Sequence, residues 1–537
     1  MLHGPQRGGI TLAKERDTLN NLKKHLTLFD LIIIGVAGAV GTGVLFSTAG
    51  MAAAAGPGVV LAWLIGAVMY LFVGLTYVDL SHLYPEAGGP SRYSLYSYGK
   101  TTNMINAFAD LIWYLFIPPV EALATVEGLN YFYPHFINSL GNPTTEGAVL
   151  GVVLMLLFLP FNYYGVRMFA NSTNVFGTVK LLLYALVGIG FLSLAHYRNF
   201  TAYGGVVPFG VSGLFAAIPL GMFAFGGIRV IPDYAEEVKR PQIIGKAILW
   251  SVLGQTVIYV LLSVGFLTAL NWSQIKIHPG SWGAISSIAG NPFLAIASGG
   301  HIGWLIFLTV IIAVIGPFVT GYIYQGAGSR ILLAMGRTGL VSAKMQELSE
   351  RYAIPIWALL AFTVIGAVVA YIAAPLPSIY SLITDAVVAG YLGFAVNPVV
   401  MLALRKEGRP GKLKHGGLVA VVAFASASLI VYWSGWPSVP YATVLLAIAA
   451  VVFGLIYKVK EGFVNAVWYI VYVLFLTFMT YVGGVGALKW FNIYMGSAVV
   501  VVVSLVLFLP WGVASRMPPQ INPDVAASGD SIDGSAS

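Results

Sequence analysis

The sequence predicts an all-α protein that crosses a lipid bilayer many times. Of its 537 residues, 58% are hydrophobic and 9% are charged, whereas a soluble domain has about 25% charged residues. The mean hydropathy is +0.84, and apolar stretches of membrane-spanning length follow one another from residue 29 to residue 513. The absence of cysteine excludes disulfides and thiolate metal sites. We therefore expect a polytopic helical membrane protein.

About 14 apolar stretches are predicted to form transmembrane helices. In chain order they cover residues 29–54, 58–83, 94–129, 147–163, 165–196, 211–235, 245–270, 302–340, 355–374, 377–404, 416–434, 440–457, 464–484 and 493–513. A polar segment, 1–28, precedes them. The tail 516–537 is rich in Ser, Ala, Asp and Gly, a composition that predicts disorder.

The distribution of lysine and arginine predicts that both termini are cytoplasmic. With a cytoplasmic N-terminus, the inner segments carry 23 of the 28 Lys and Arg residues, and the outer segments carry only Arg198, Lys276 and Lys489. Lys180 and Arg229 fall within predicted helices. The net charge of +8 is therefore an orientation signal rather than a nucleic-acid patch, and we expect the lipid bilayer as a partner and no nucleic acid.

Four glycines near the middle of the first stretch predict an unusual backbone there. They lie between Gly35 and Gly43, and each weakens a helix by about 0.8–1 kcal/mol relative to alanine. An open backbone at membrane depth is tolerated only where it is buried in protein or lines a watery cavity. The cluster is compatible with close helix packing or with an interruption at Gly41-Thr42-Gly43.

A second pair of glycines, Gly226-Gly227, lies in the middle of the sixth stretch. After five crossings that stretch enters from the side opposite to the first, and paired interruptions in corresponding halves indicate a transporter. The prediction is an inverted five-helix repeat (5+5) with discontinuous helices one and six. The repeats cover 29–204 and 205–404, followed by helices 11 and 12 in 405–460 and two additional helices in 461–515.

Four segments of the chain resemble motifs of one family. They are the glycine-rich stretch from Gly35 to Phe46, the entry to the third helix from Tyr84 to Tyr93, the block from Phe225 to Pro241, and the end of the eighth helix from Ser329 to Gly339. In this order they resemble the amino acid–polyamine–organocation superfamily of permeases over about residues 28–460. The resemblance implies a secondary amino acid transporter without a cofactor, with its site between helices 1, 3, 6, 8 and 10.

The two interruptions are also the predicted substrate site. Amides that follow Gly41 would form a half-helix N-terminus that binds a carboxylate, and carbonyls freed before each interruption would accept from an ammonium group. The predicted substrate-binding residues are Ala39, Val40, Gly41, Thr42, Gly43, Val44, Phe223, Phe225, Gly226 and Gly227. The two phenylalanines resemble the family's aromatic lid, with ordinary core packing as the alternative.

Lys180 in the fifth stretch resembles the lysine that sodium-independent members carry where sodium-coupled relatives hold a cation. We interpret it as a sodium surrogate and a carrier of the coupling proton. The alternative is a lysine that extends to the inner membrane interface.

Arg229 departs from the family, which commonly has glutamate there. It could pair with Glu121, Asp233 or Asp385, contact an acidic substrate side chain, or belong to an inner gate. Glu121 and Asp385 are candidate interior or gating charges, as is Glu127. A further prediction is a cytoplasmic ion network formed by Asp233, Glu236, Glu237, Lys239 and Arg240.

Other chemistry is not indicated, because the sequence has no phosphate loop, no H-E-x-x-H and no G-x-S-x-G motif. We expect no catalytic residue and no metal site. The predicted function is alternating-access transport of amino acids across the plasma membrane, sodium-independent and either proton-coupled (symport) or an exchange (antiport). A polyamine or organic-cation carrier is the alternative within transporters, against which Arg229 counts. A nutrient receptor with a transporter fold is the alternative outside them.

Overall fold

The computed structural model describes residues 21–194, 196–288, 290–375, 379–409 and 411–518, and within these the side chains of 223, 379–384, 386 and 387 are not described. The chain is all-helical in this part, as predicted, and has three isolated β-bridges. The predicted disordered tail lies outside the described residues from position 519 onward.

The α-helices are numbered in chain order. They are α1 Leu28–Ala39, α2 Thr42–Ala55, α3 Val59–Leu83, α4 Gly89–Arg92, α5 Leu95–Leu129, α6 Thr145–Leu157, α7 Leu159–Tyr163, α8 Val166–Leu192, α9 Gly210–Met222, α10 Gly227–Asp233, α11 Ile244–Ala269, α12 Pro292–Gly299, α13 Gly303–Arg337, α14 Ile356–Ala373, α15 Ile379–Phe394, α16 Val396–Lys406, α17 Gly416–Ser434, α18 Ser438–Ile456, α19 Phe463–Val482, α20 Ile493–Val503 and α21 Leu509–Ala514.

Short 3₁₀ and π segments join several of these helices. The 3₁₀ segments are Gly56–Gly58, Tyr197–Phe200, Phe223–Phe225, Ala235–Glu237, Pro241–Ile243, Trp282–Ser287 and Ala343–Gln346. A π segment, Ser504–Phe508, joins α20 to α21.

Within the described residues, 13 helical segments are long and apolar enough to cross a membrane. The number differs from the predicted fourteen because the first stretch is split. Its first part, Leu28–Ala39, is a shorter apolar helix, and its second part runs on with α3 as one segment, Thr42–Leu83. The interruption near Gly41 therefore changes how the spans are counted, while the order of the apolar stretches is as predicted.

The start of α1 is fixed by its own sequence. Thr27 and Asp30 form a reciprocal capping box, in which the Thr27 backbone amide and hydroxyl both donate to the Asp30 carboxylate at 2.7 Å. Such a box satisfies amides that the first turn leaves without partners. Asn174 of α8 also donates to Asp30 at 2.6 Å, so the same carboxylate ties the start of α1 to α8.

The two interrupted helices pack against each other part by part. α1 contacts α10, and α2 contacts α9. α1 also packs on α8, α11 and α13, while the long helix α5 packs against α13 and α15. The interruptions therefore lie inside the bundle, where neighbouring helices can satisfy the opened backbone.

The connection between α11 and α13 is folded rather than extended. Trp282 is buried, contacts the Trp272 ring at 5.0 Å and donates to the Tyr203 carbonyl at 3.1 Å. Phe293 of α12 is also buried between Phe191 and Phe266. The 3₁₀ segment Trp282–Ser287 packs on α2, so this connection covers one end of the first interrupted helix.

Candidate functional site

The first interruption lies at Val40 and Gly41. Val40 ends α1, and Gly41 precedes α2 with φ −128° and ψ −139°, outside the helical region. The Gly41 amide donates to the carbonyl of Ala39 at 2.9 Å, whereas a continuous helix would pair it with Ala37. All residues from Ala39 to Val44 are buried. The backbone thus opens inside the protein, where the sequence predicted it.

The second interruption lies slightly earlier than predicted. α9 ends at Met222, a 3₁₀ turn covers Phe223–Phe225, and α10 begins at Gly227. The Tyr259 hydroxyl donates to the freed carbonyl of Ala224. Gly227 is therefore the start of the second half-helix rather than part of the break.

Gly227 is where the two interrupted helices touch. A Cβ atom built there would lie 1.9 Å from the carbonyl oxygen of Gly35 and 2.8 Å from the Cβ of Ala39. Contacts this short are impossible for a real side chain, and the Gly35 carbonyl is backbone that cannot turn away. Glycine at 227 is therefore required for the observed packing of α10 on α1.

Glu121 of α5 occupies the N-terminus of α2. Its carboxylate accepts the Thr42 backbone amide at 3.2 Å and also the Thr42 hydroxyl. A Cβ at Gly41 would lie 2.9 Å from Glu121 Oε1, so glycine makes room for the carboxylate. A negative charge is favourable at a half-helix N-terminus. The first of the amides predicted to bind a substrate carboxylate thus holds a carboxylate of the protein itself.

Lys180 of α8 is fully buried and does not extend to the membrane interface. Its ammonium donates to the carbonyls of Ala37 and Gly316 and to the Thr320 hydroxyl, each at 2.7 Å. Ala37 is the carbonyl that the interruption deprives of its helical partner. Lys180 therefore satisfies the opened end of α1 and links it to α13.

Two further side chains donate to backbone carbonyls of the first interrupted helix, one at the break and one within α1. The Tyr184 hydroxyl donates to the Gly41 carbonyl at 3.1 Å, and the Gln255 amide donates to the Gly35 carbonyl at 3.0 Å. Both residues are buried. Because unpaired backbone groups are costly in a bilayer interior, these contacts explain how the interruption is tolerated.

Phe225 is fully buried within a cluster of aromatic rings. Its ring lies 5.7 Å from Trp63, 5.7 Å from Tyr70 and 5.2 Å from Tyr259. The side chain of Phe223, the other predicted lid residue, lies outside the described part. In this conformation Phe225 packs between α3 and α11 rather than standing free.

Arg229 forms a buried ion pair with Asp110 of α5. The partner is none of the three acids considered from the sequence. The guanidinium also lies 4.8 Å from the Trp113 ring and 4.6 Å from the Phe394 ring, distances that fit cation–π contacts. Arg229 thus joins α10 to α5 and α15.

The three acids that were considered as partners of Arg229 bind elsewhere. Glu121 binds Thr42, and Asp233 accepts the hydroxyl of Tyr114. Asp385 is half-buried and accepts the Ser438 hydroxyl at 2.7 Å. Asp385 therefore connects α15 to α18 and does not contact the interruptions.

An ion network surrounds Glu236 and Glu237, but its cations differ from those predicted. Glu237 accepts two hydrogen bonds from Arg330, at 2.8 and 3.1 Å, and Glu236 accepts two from Arg337, at 2.6 and 3.1 Å. Lys239 and Arg240, the predicted partners, are exposed. The sequence-adjacent cations were the wrong choice because the 3₁₀ turn points both glutamates toward α13.

Burial and ion pairing shift the pKa values of Glu236 and Glu237 in opposite directions. For Glu236, burial would raise the pKa, but the hydrogen bonds and charge of Arg337 outweigh burial and hold the pKa below its ordinary value. For Glu237, burial prevails and raises the pKa, although Arg330 opposes it.

The segment before α1 also contacts the turn that carries Glu236 and Glu237. The backbone amides of His25 and Leu26 donate to the Glu237 carbonyl at 2.8 and 2.9 Å, and Lys239 donates back to Leu26 at 3.1 Å. Leu22 donates its amide to the Glu236 carboxylate at 3.2 Å. This end of the bundle is therefore closed by the first segment, by the turn after α10 and by α13.

Sequence reasoning missed several residues that the structure brings to the interruptions. Asp110, Thr320, Tyr184 and Tyr259 all lie on other helices, and each is buried. One signal was available for Asp110, since it is an acidic residue in the middle of a predicted span, where charges are rare and usually paired.

Two interrupted helices that meet inside a bundle of membrane-spanning helices, with a buried ammonium at one break, are the arrangement of a secondary transporter. The chain belongs to the amino acid permease family, whose model matches residues 26–440. It is accordingly a multi-pass membrane transport protein and not an enzyme.

Named relatives agree with this assignment. The chain is 30% identical to the aspartate-proton symporter of Bacillus subtilis over 432 residues, which cover 78% of this chain and 81% of the relative. It is 28% identical to the glutamate/serine transporter AimA of the same organism, with 93% and 95% covered. The branched-chain amino acid permease BcaP of B. subtilis is 24% identical, with 83% and 95% covered.

Proposed function

We propose that the protein carries amino acids across the plasma membrane by alternating access, without sodium, and with both termini in the cytoplasm. Two inverted repeats, 29–204 and 205–404, would form the moving parts. The observation that carries the proposal is the close packing of the two interrupted helices beside their breaks, where Gly227 of α10 lies against Gly35 and Ala39 of α1. Each interruption supplies helix-end amides or freed carbonyls, and these are the groups that would recognise a zwitterion.

The substrate would bind at the interruptions. Its carboxylate would face the amides at the start of α2, and its ammonium would face the carbonyls of Ala39 and Val40 and those of the 3₁₀ turn Phe223–Phe225. Phe225 would cover the ligand. Because Glu121 already holds the Thr42 amide, the substrate carboxylate would use the Gly43 and Val44 amides or displace Glu121.

Proton coupling would pass through Glu121 and Lys180. The Thr320 hydroxyl accepts from Lys180 at 2.7 Å. A Cβ at Gly41 would lie 2.5 Å from that hydroxyl and 2.9 Å from Glu121 Oε1. Both polar groups therefore border the same glycine, and the opposite charges of Glu121 and Lys180 attract each other. A substrate carboxylate arriving at α2 would favour protonation of Glu121, which ties substrate binding to proton uptake.

The buried pair of Arg229 and Asp110 would be part of an inner gate. It joins α10 to α5, and the Glu236–Arg337 and Glu237–Arg330 pairs close the same half of the pathway. Release of substrate to the cytoplasm would require these contacts to separate. This conformation would then be the one closed toward the cytoplasm.

We propose aspartate, glutamate and serine as the substrates to test first, because two relatives, 30% and 28% identical to this chain, are named for them. The guanidinium of Arg229 would disfavour cationic substrates by repulsion when the inner gate opens and separates it from Asp110. The test is uptake of the three radiolabelled amino acids into proteoliposomes, with sodium or choline outside and with or without an inward proton gradient. We expect uptake in choline that increases with the proton gradient or with unlabelled amino acid inside.

Two results of that experiment would overturn the proposal. One is the absence of uptake and exchange across a panel of all common amino acids, which would favour a receptor. The other is uptake only when sodium is present, which would remove the role given to Lys180. Uptake of putrescine instead of amino acids would support the polyamine alternative.

A further inference from the structure

A cleft lined by both polar and apolar residues lies at the end of α5, away from the interruptions. Its volume is about 350 Å³, and its lining includes Glu127, Asn130, Asn138, Asn291 and Ser298. That volume falls in the range of small-molecule sites. The cleft lies between the end of α5 and the start of α12, within the folded connection that covers α2. In the proposed orientation this side of the protein is extracellular.

Glu127 brings a buried oxygen without a partner to this cleft. Its Oε1 atom is shielded from solvent and accepts no hydrogen bond, and Glu127 forms no ion pair within the described residues. The backbone amide of Asn291 lies beside the same carboxylate. Gly290 has φ +70°, and a Cβ there would lie 2.9 Å from Oε1. A carboxylate oxygen left unpaired in this way is costly. Glu127 lines the cleft, and rotation of its carboxylate would bring Oε1 to the cationic group of a ligand.

Three asparagines of the cleft are oriented by the backbone. Oδ1 of Asn130 accepts two backbone amides at 3.0 and 3.1 Å, and Oδ1 of Asn291 accepts two at 3.0 and 3.2 Å. Oδ1 of Asn138 likewise accepts two, at 2.9 and 3.0 Å. These bonds fix which atom of each side chain is the oxygen. The amide nitrogens donate no hydrogen bond to the described part of the chain, so they remain available to an anionic group.

We propose that the cleft is a second binding site for an α-amino acid. The ligand's ammonium group would bind Glu127, and its carboxylate would bind the asparagine amides. A carboxylate beside unused N–H donors matches the two charges of a zwitterion and disfavours an anion or a simple cation alone. This second site would bind the amino acid on the outer side of the protein before the amino acid moves to the interruptions. The nature of the ligand rests on the proposed transport of amino acids.

The test compares Glu127→Gln with Glu146→Gln in the full-length protein. Glu146 is an exposed carboxylate in the first turn of α6, so its variant is a matched control. Uptake of radiolabelled L-serine and L-glutamate into proteoliposomes gives KM and the maximal rate. We expect Glu127→Gln to raise KM about tenfold, the effect of one lost charge-assisted hydrogen bond. The maximal rate and the control variant should be unchanged.

A binding measurement makes the site testable without transport. L-serine should raise the melting temperature of the detergent-solubilised wild type more than that of Glu127→Gln. An equal rise in both proteins, or a KM within twofold of the wild type, overturns the proposal. A KM effect that appears in sodium but not in choline also overturns it, since an alkali cation would then be the ligand. Absence of uptake by the wild type would instead contradict the proposed transport function.

Discussion

The Lys180 ammonium donates to the Ala37 carbonyl at 2.7 Å. In a continuous helix that carbonyl would accept from the Gly41 amide, which here turns to Ala39 instead. The lysine thus replaces a hydrogen bond that the glycine cluster removes. It also reaches Gly316 and Thr320, so any change in its protonation acts on both α1 and α13.

Lys180→Met tests this arrangement, because methionine has a similar length but no charge and no donor. Transport should be lost. The folded state should also lose stability, since the carbonyls of Ala37 and Gly316 lose a donor in the membrane interior. Uptake and thermal melting are measured on the same preparations. Lys246→Met, at an exposed position of α11, is the control, and uptake by Lys180→Met at the wild-type rate would contradict the role of Lys180.

Glu121→Gln should separate transport from the proton gradient. The carboxamide oxygen still accepts from Thr42, but the side chain can no longer bind and release a proton. We expect exchange of amino acids to continue and stimulation by an inward proton gradient to disappear. Glu350→Gln, at an exposed position, should behave as the wild type. An unchanged response of Glu121→Gln to the gradient would exclude Glu121 as the coupling group.

Gly227→Ala should destabilise the protein, because the added Cβ would meet the Gly35 carbonyl at 1.9 Å. Forcing α10 away from α1 should cost about 1–3 kcal/mol, as for other overpacked sites. The control is Gly417→Ala, whose Cβ would meet nothing within 4 Å. The melting temperature should fall for Gly227→Ala and should stay the same or rise for Gly417→Ala. Equal melting temperatures of the two variants would show that the close approach of α10 to α1 is not needed.

The Arg229–Asp110 pair can be tested with a double-mutant cycle. Arg229→Met or Asp110→Leu alone leaves a buried charge without a partner and should cost about 3–5 kcal/mol. The double variant removes both charges and should recover most of that loss. Denaturant or thermal unfolding of the four proteins measures the coupling. Additive effects of the two substitutions would mean that the ion pair contributes no coupling energy.

The candidate site was only partly predictable from sequence. Glycines in a long apolar stretch weaken the helix wherever the chain folds, so they indicated an interruption or close packing near Gly41. The glycine pair Gly226-Gly227 was needed to prefer the interruption. The partner of Arg229 could not be predicted, because Asp110 is 119 residues earlier in the chain and meets it only when the folded bundle brings the side chains of α5 and α10 together. The same reason applies to Glu236 and Glu237, whose partners Arg337 and Arg330 come from α13.

By itself the sequence determined the membrane environment, the order of the helices, the first interruption and the presence of a charge on α8. These follow from composition and from the backbone preferences of single residues. The tertiary structure alone decided that Lys180 satisfies Ala37, that Glu121 occupies the N-terminus of α2, and that Gly227 lies against Gly35. Such pairings depend on how distant helices pack, and no local property of the chain specifies them.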